Sequence, residues 1–124
     1  MDRARFMVEL VQMNQAALVD LILKFREERK WKQFHSPKNL AISLMLEASE
    51  VVEIFQWSKD HKVPQDRKQD LAKELADVYY WLLLLAHDEG IDLNKALEAK
   101  MKENEKKYPI AQSKGTSLKY TKLK

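Results

Sequence analysis

Four carboxylates carry the chemical information in this chain. They fall in two pairs of equal spacing, Glu47-Ala48-Ser49-Glu50 and Glu74-Leu75-Ala76-Asp77. On a helix, residues three apart are surface neighbours, with Cβ atoms about 5–6 Å apart. At ~100° per residue, Glu47 falls between Leu40 and Ile54, and Glu50 between Ile54 and Trp57. Glu74 falls between Trp81 and Leu85, and Asp77 between Trp81 and Leu84. All four interrupt apolar surface. Like charges at this spacing repel, and a partly buried, unpaired carboxylate costs more. Neither helix offers a basic residue on these arcs. A hard divalent cation with oxygen ligands is the other way to offset the charge, and two facing helices with this set suit Mg²⁺ or Mn²⁺. Zinc recruits His or Cys, and the chain has no Cys. Di-iron bundles place a His three residues after a Glu; no Glu-x-x-His occurs. Any one of these acids reads equally well as part of a solvated face. The repetition of the pair within apolar arcs is what favours a metal site, with Glu53 as a helper nearer the rim.

Positioning these pairs needs long helices, and the composition supplies them. A chain of 124 residues suits one domain. Two Gly and three Pro are too few for the turns of a sandwich or barrel. With 45% hydrophobic and 33% charged residues, the chain is too apolar for disorder and too charged for a membrane protein. The longest apolar run, Val78 to Ala86, is nine residues, less than half a membrane span. The absence of Cys excludes disulfides, thiol nucleophiles and iron–sulfur sites. No apolar signal region follows Met1, so a soluble, cytoplasmic protein is expected.

The expected fold is all-α, a bundle of four helices. The first runs from about Arg5 to Arg29. Ser36 as N-cap and Pro37 at the first position start the second, which extends to about Ser58. The segment Lys59 to Gln65 is a loop. Asp66 and Gln69 resemble a capping box for a third helix, Arg67 to Asp88, which Gly90 ends. Asp92 caps a fourth, Leu93 to Lys107, and Tyr108-Pro109 stops it. The domain is expected over 1–109, with a tail of 110–124 that lacks periodicity. The second half of helix three is apolar almost all round, so it must be covered on every side. Either it is the central helix of a monomer or an oligomer buries it, and the second reading is favoured.

Charge is uneven. Residues 100–124 hold eight Lys against two Glu, whereas the rest of the chain is net acidic. A basic tail is usually a solvated terminus, although it also suits an anionic partner. A non-enzymatic helical protein that binds nucleic acid through this tail is the competing reading. Against it, an acidic cage repels a phosphate backbone, and no stable nucleic-acid or membrane partner is expected.

With the acid pairs, several other stretches give the chain a specific likeness. They are Trp31-Lys32-Gln33-Phe34-His35-Ser36-Pro37, Phe55-Gln56-Trp57, Lys106-Lys107-Tyr108-Pro109 and Lys119-Tyr120-Thr121. The chain closely resembles the all-α nucleoside triphosphate pyrophosphohydrolases of the MazG-like family, nearest the dCTP pyrophosphatase branch. The resemblance implies hydrolysis of a nucleoside triphosphate, dCTP or a modified dCTP, to the monophosphate and pyrophosphate. It implies Mg²⁺ held by Glu47, Glu50, Glu74 and Asp77, and a homotetramer built as a dimer of dimers. It also implies a base held between aromatic residues, here Trp31, His35 and Trp57, with Trp81 lining the pocket. Asn104 is a further candidate contact to base or phosphate. Glu47 and Glu50 are the candidates for general base. Two positions depart from the branch: Ile22 stands where its dCTP-binding members have His, and Trp81 where they have Tyr.

Overall fold

The structure is a computed structural model and describes residues 13–124. Helix α1 spans Gln15–Glu28. The Asn14 side chain accepts a hydrogen bond from the Ala17 amide at 2.9 Å, which satisfies one of the unpaired donors at the helix start. The expected start near Arg5 lies outside the described residues, but Met13 and Asn14 are not helical, so α1 begins at its own cap. After α1, Lys30 takes a left-handed φ of 53°. This turns the chain so that the Trp31 amide donates to the Arg26 carbonyl at 3.1 Å. A single 3-10 turn, Lys32–Phe34, carries the chain into the next helix.

Helix α2 spans Pro37–Glu53. Its start is as the sequence predicts: Ser36 Oγ accepts from the Asn39 amide at 3.2 Å, and Pro37 takes the first position. Its end is earlier than predicted. From Ile54 to Gln56 the amides bond three residues back rather than four, and Trp57 sits at a left-handed φ of 69°. The helix therefore unwinds before Ser58. Helix α3 spans Lys68–Asp88. The expected capping box at Asp66 does not form; Arg67 holds the N-cap position, and its Nε donates to Asp70 Oδ2 at 2.7 Å instead. Gly90, with φ of 66°, ends this stretch as predicted.

Helices α2 and α3 pack closely together, and α1 packs on α3. Leu40 and Ile54 from the α2 region and Leu83, Leu84 and Ala86 of α3 are the buried apolar residues of the core. The apolar second half of α3 is thus covered on one side. Leu75, Tyr79 and Leu82 remain exposed on the single chain. So do Ile42, Met45, Leu46 and Val52 of α2, with Val52 at 68% and Met45 at 64%.

The residues from Ile91 onward form a second compact unit. Asp92 accepts from the Lys95 amide at 3.1 Å and caps α4, Leu93–Lys107. The tail was expected to lack periodicity, yet it forms a short helix α5, Ile110–Ser113, and a 3-10 turn at Tyr120–Lys122. Within this unit the Tyr120 ring packs edge-on against Tyr108 at 5.9 Å, and the Lys107 ammonium lies 4.9 Å from its centroid. A ring face attracts a cation, so an aromatic anchor holds the tail segment to α4. Among the described residues every regular element is helical, and no helix is long and apolar enough to cross a membrane.

Candidate metal and substrate site

The two acid pairs meet. One carboxylate oxygen from each of Glu47, Glu50, Glu74 and Asp77 lies within 4.8 Å of the others. Helix α2 supplies the first pair and α3 the second. Asp77 acts on Glu47, and Glu50 on Glu74, as expected for helices running in opposite directions. Glu47 and Glu74 are half-buried, while Glu50 and Asp77 reach solvent.

The electrostatics show an uncompensated cluster. Burial pushes the Glu47 carboxyl up to about 7, with the adjoining Glu50 and the charge of Asp77 acting in the same direction. Glu74 is also raised, first by its contact with Glu50 and then by burial. Like charges packed together disfavour ionisation of one another. One oxygen on each half-buried acid, Oε2 of Glu47 and Oε2 of Glu74, is buried with no hydrogen-bond partner. Buried polar atoms are almost always paired in folded proteins. Two orphaned carboxylate oxygens in one acidic cluster therefore fit a hard, oxygen-seeking divalent cation.

Beside the acids opens a cleft of about 410 Å³, to which Glu47 and Asp77 contribute. Its other walls are apolar and aromatic, from Leu21, Ile22 and Phe25 of α1, Trp31 after it, and Tyr80 and Trp81 of α3. Phe25 packs edge-on against Trp31 at 5.6 Å and Tyr80 at 6.4 Å, and Tyr80 against Trp81 at 4.9 Å. Burial raises the Tyr80 hydroxyl above its ordinary value, which keeps it protonated. Trp31 and Trp81, both predicted from sequence, thus share one cleft with two of the acids. Leu21, Phe25 and Tyr80 were not predicted. Their spacing looks like ordinary core packing, and only the tertiary arrangement turns them toward a cavity.

His35 packs on one of the wall residues of the cleft. Its ring packs edge-on against Trp81 at 5.5 Å, and its buried Nδ1 has no hydrogen-bond partner. Burial, and then the charge of Arg26, holds its pKa below the ordinary value. Trp57 is not brought to this cleft. It is 89% exposed in the turn after α2, beside a separate depression that includes Ile54, Asp60 and Pro64. Asn104 lies in the second unit on α4, half-buried, where its carbonyl accepts from the Tyr108 amide at 2.8 Å.

One structural feature of the site escaped sequence reasoning. Arg26, 4% exposed, forms a two-pronged ion pair with Asp88, Nη1–Oδ2 at 2.8 Å and Nη2–Oδ1 at 2.9 Å. It joins the end of α1, just before Trp31, to the end of α3. The available signal was an Arg one helical turn beyond Ile22, on an apolar arc.

The profile of the MazG-like family matches residues 42–123, a stretch that contains both acid pairs. The chain belongs to the MazG-like family. Within it, the chain is 39% identical over 105 residues to dCTP pyrophosphatase 1 of Mus musculus and 40% identical over 106 residues to that of Rattus norvegicus. Each match takes in 81% of this MazG-like chain and 62% of the relative, so the chain spans less than two thirds of these curated relatives' length. The crystal structure of a pyrophosphatase from Archaeoglobus fulgidus superposes with a TM-score of 0.71 at 41% identity, covering 74% of this chain and 89% of that one.

Proposed function

We propose that this chain hydrolyses a deoxynucleoside triphosphate of the dCTP type, dCTP or a modified dCTP, to the monophosphate and pyrophosphate. The observation that carries the reading is the junction of the four-carboxylate cluster with an aromatic cleft through Glu47 and Asp77. Names of the relatives support it: they are pyrophosphatases, several of them for dCTP.

Glu47, Glu50, Glu74 and Asp77 are the proposed ligands of Mg²⁺, with Mn²⁺ an equivalent hard ion. An ion held by these four residues would offset the charge of the acids and of the triphosphate and would lower the pKa of an attacking water. The aromatic walls hold the base, with Trp81 beside Glu47 and Trp31 at the far end of the ring series. Water attacks the α-phosphorus, the bond to the bridging oxygen breaks, and pyrophosphate leaves with the electron pair. The proton of that water passes to the carboxylate of Glu50 or Glu47, the two proposed general bases.

The exposed apolar faces of α2 and α3 support self-association, proposed as a homotetramer made of two dimers. Contiguous apolar patches left open to water mark interaction surfaces. In that assembly Trp57 would meet a base only from a neighbouring copy.

The test is release of pyrophosphate from deoxynucleoside triphosphates with Mg²⁺ or Mn²⁺. Stoichiometric pyrophosphate and monophosphate from dCTP is the expected result. Absence of pyrophosphate across common and modified substrates with either ion refutes the reading.

A further inference from the structure

We propose that Trp81 is a positioning residue for the cation: its indole N–H holds one oxygen of the Glu47 carboxylate and leaves the other to ligate. The inference deepens the proposed function and rests on it for the assignment of the acid cluster as the cation site.

The placement starts on α3. Glu74, Asp77 and Trp81 are spaced by three and by four, so they share one face of the helix. Glu47 of α2 meets that face, where the charge of Asp77 acts on it. Trp81 lies one turn beyond Asp77 and lines the same cleft as Glu47 and Asp77. Its indole N–H donates to the Glu47 carboxylate. The other two side chains acting on Glu47 are acids, Glu50 and Asp77. Oε2 of Glu47 is buried with no hydrogen-bond partner, so the indole serves the opposite oxygen, Oε1.

The last torsion of a Glu side chain is broad and roughly two-fold. A carboxylate without a partner therefore does not keep one oxygen turned toward a metal. A donor on one oxygen removes that freedom. An indole N–H only donates, so it cannot take the carboxylate's place as a ligand. It also favours the ionised carboxylate, which is the form a cation needs. The indole is itself held. Tyr80 packs edge-on against it at 4.9 Å and His35 at 5.5 Å. His35 closes the 3-10 turn before α2, where its amide donates to the Lys32 carbonyl at 2.9 Å. The donor is thus fixed from its own helix and from the turn before α2. Removing a hydrogen-bond partner of a metal ligand costs about 10–100-fold in metal affinity.

The experiment measures the Kd of Mn²⁺ alone by calorimetry, with the full chain and no nucleotide. The parent is compared with Trp81→Phe and with Trp81→benzothienylalanine, in which sulfur replaces the N–H of the fused ring. The second variant keeps the shape of the ring, so it tests the donor even where the smaller Phe ring loosens the packing. A Kd weakened about 10–100-fold in both variants supports the inference. In turnover, the rate lost by these variants should return in part as Mg²⁺ is raised, which a base-stacking role does not predict. A benzothienylalanine variant with the parental Kd overturns the inference. Weakening in Trp81→Phe alone assigns Trp81 to packing and overturns it equally. A parent that releases pyrophosphate yet binds no Mn²⁺ alone overturns the inference and leaves the proposed function standing. A parent that does neither refutes both.

Discussion

Arg26 and Asp88, 62 residues apart in sequence, share two parallel hydrogen bonds of 2.8 and 2.9 Å. Geometry of this kind gives the stronger class of ion pair. It ties the last turn of α1 to the last turn of the helix that carries Glu74 and Asp77. Removing one partner leaves a charge with little access to water. Arg26→Ala should therefore lower stability by about 3–5 kcal/mol in urea unfolding. The Arg26 guanidinium holds Asp88 below its ordinary value of 3.8. The unfolded chain thus binds this proton more readily, and the stabilisation is present above pH 3.8 and lost as pH falls below it. Between pH 6 and pH 3, Arg26→Ala should show a shallower loss than the parent chain.

The acid cluster gives the opposite pH dependence. Glu47 is raised from 4.5 to about 7 in the metal-free chain. Its contribution is fully present below pH 4.5 and is lost as pH rises through about 7. His35, lowered by burial, has the reverse sign, so the comparison is with Glu47→Gln. In EDTA the parent chain should lose stability relative to this variant between pH 5 and pH 8. Mg²⁺ should raise the parent's Tm more at pH 8 than at pH 5, because ligands must be deprotonated to bind. Equal Mg²⁺ shifts at both values would count against the assigned ligands.

Function and stability should separate at the same residues. Asp77→Asn or Glu50→Gln removes one of four crowded negative charges, and relief of repulsion should raise the metal-free Tm. Loss of a ligand or base should cut pyrophosphate release by at least about 100-fold. Helical circular dichroism should be unchanged. Retained activity in both variants would show that the cluster is not the reaction centre.

Trp57 is exposed and sits at a positive φ. Trp57→Gly relieves the backbone conformation and removes almost no buried surface, so stability should hold or rise. A base-stacking role predicts a rise in KM matching about 1–3 kcal/mol per base, with little change in kcat. An unchanged KM would assign Trp57 no part in binding.

The exposed apolar face of α2 should be an interface between copies. A charge there must be desolvated on association. Met45→Glu or Val52→Glu should shift the chain to a smaller species in sedimentation. An unchanged species would place the contact elsewhere.

Much of this was legible in one dimension because it depends on local rules. The start of α2 was set by Ser36 and Pro37, that of α4 by Asp92, and the end of α3 by Gly90, each through backbone groups only a few residues away. The two acid pairs were legible for the same reason: spacing of three on a helix fixes a shared face whatever the helix packs against. Where competing local contacts existed, the reading failed. Arg67 took Asp70 and displaced the capping box, and α2 unwound before Trp57. The partners of those faces belong to tertiary structure. Only the packing of α2 on α3 brings four carboxylates to within 4.8 Å and orphans an oxygen on two of them. Only the approach of α1 sets Phe25 and Trp31 beside Tyr80, and pairs Arg26 with Asp88. Periodicity states which residues face inward, but contacts across 62 residues are settled by which faces fit, and that is a property of the folded chain.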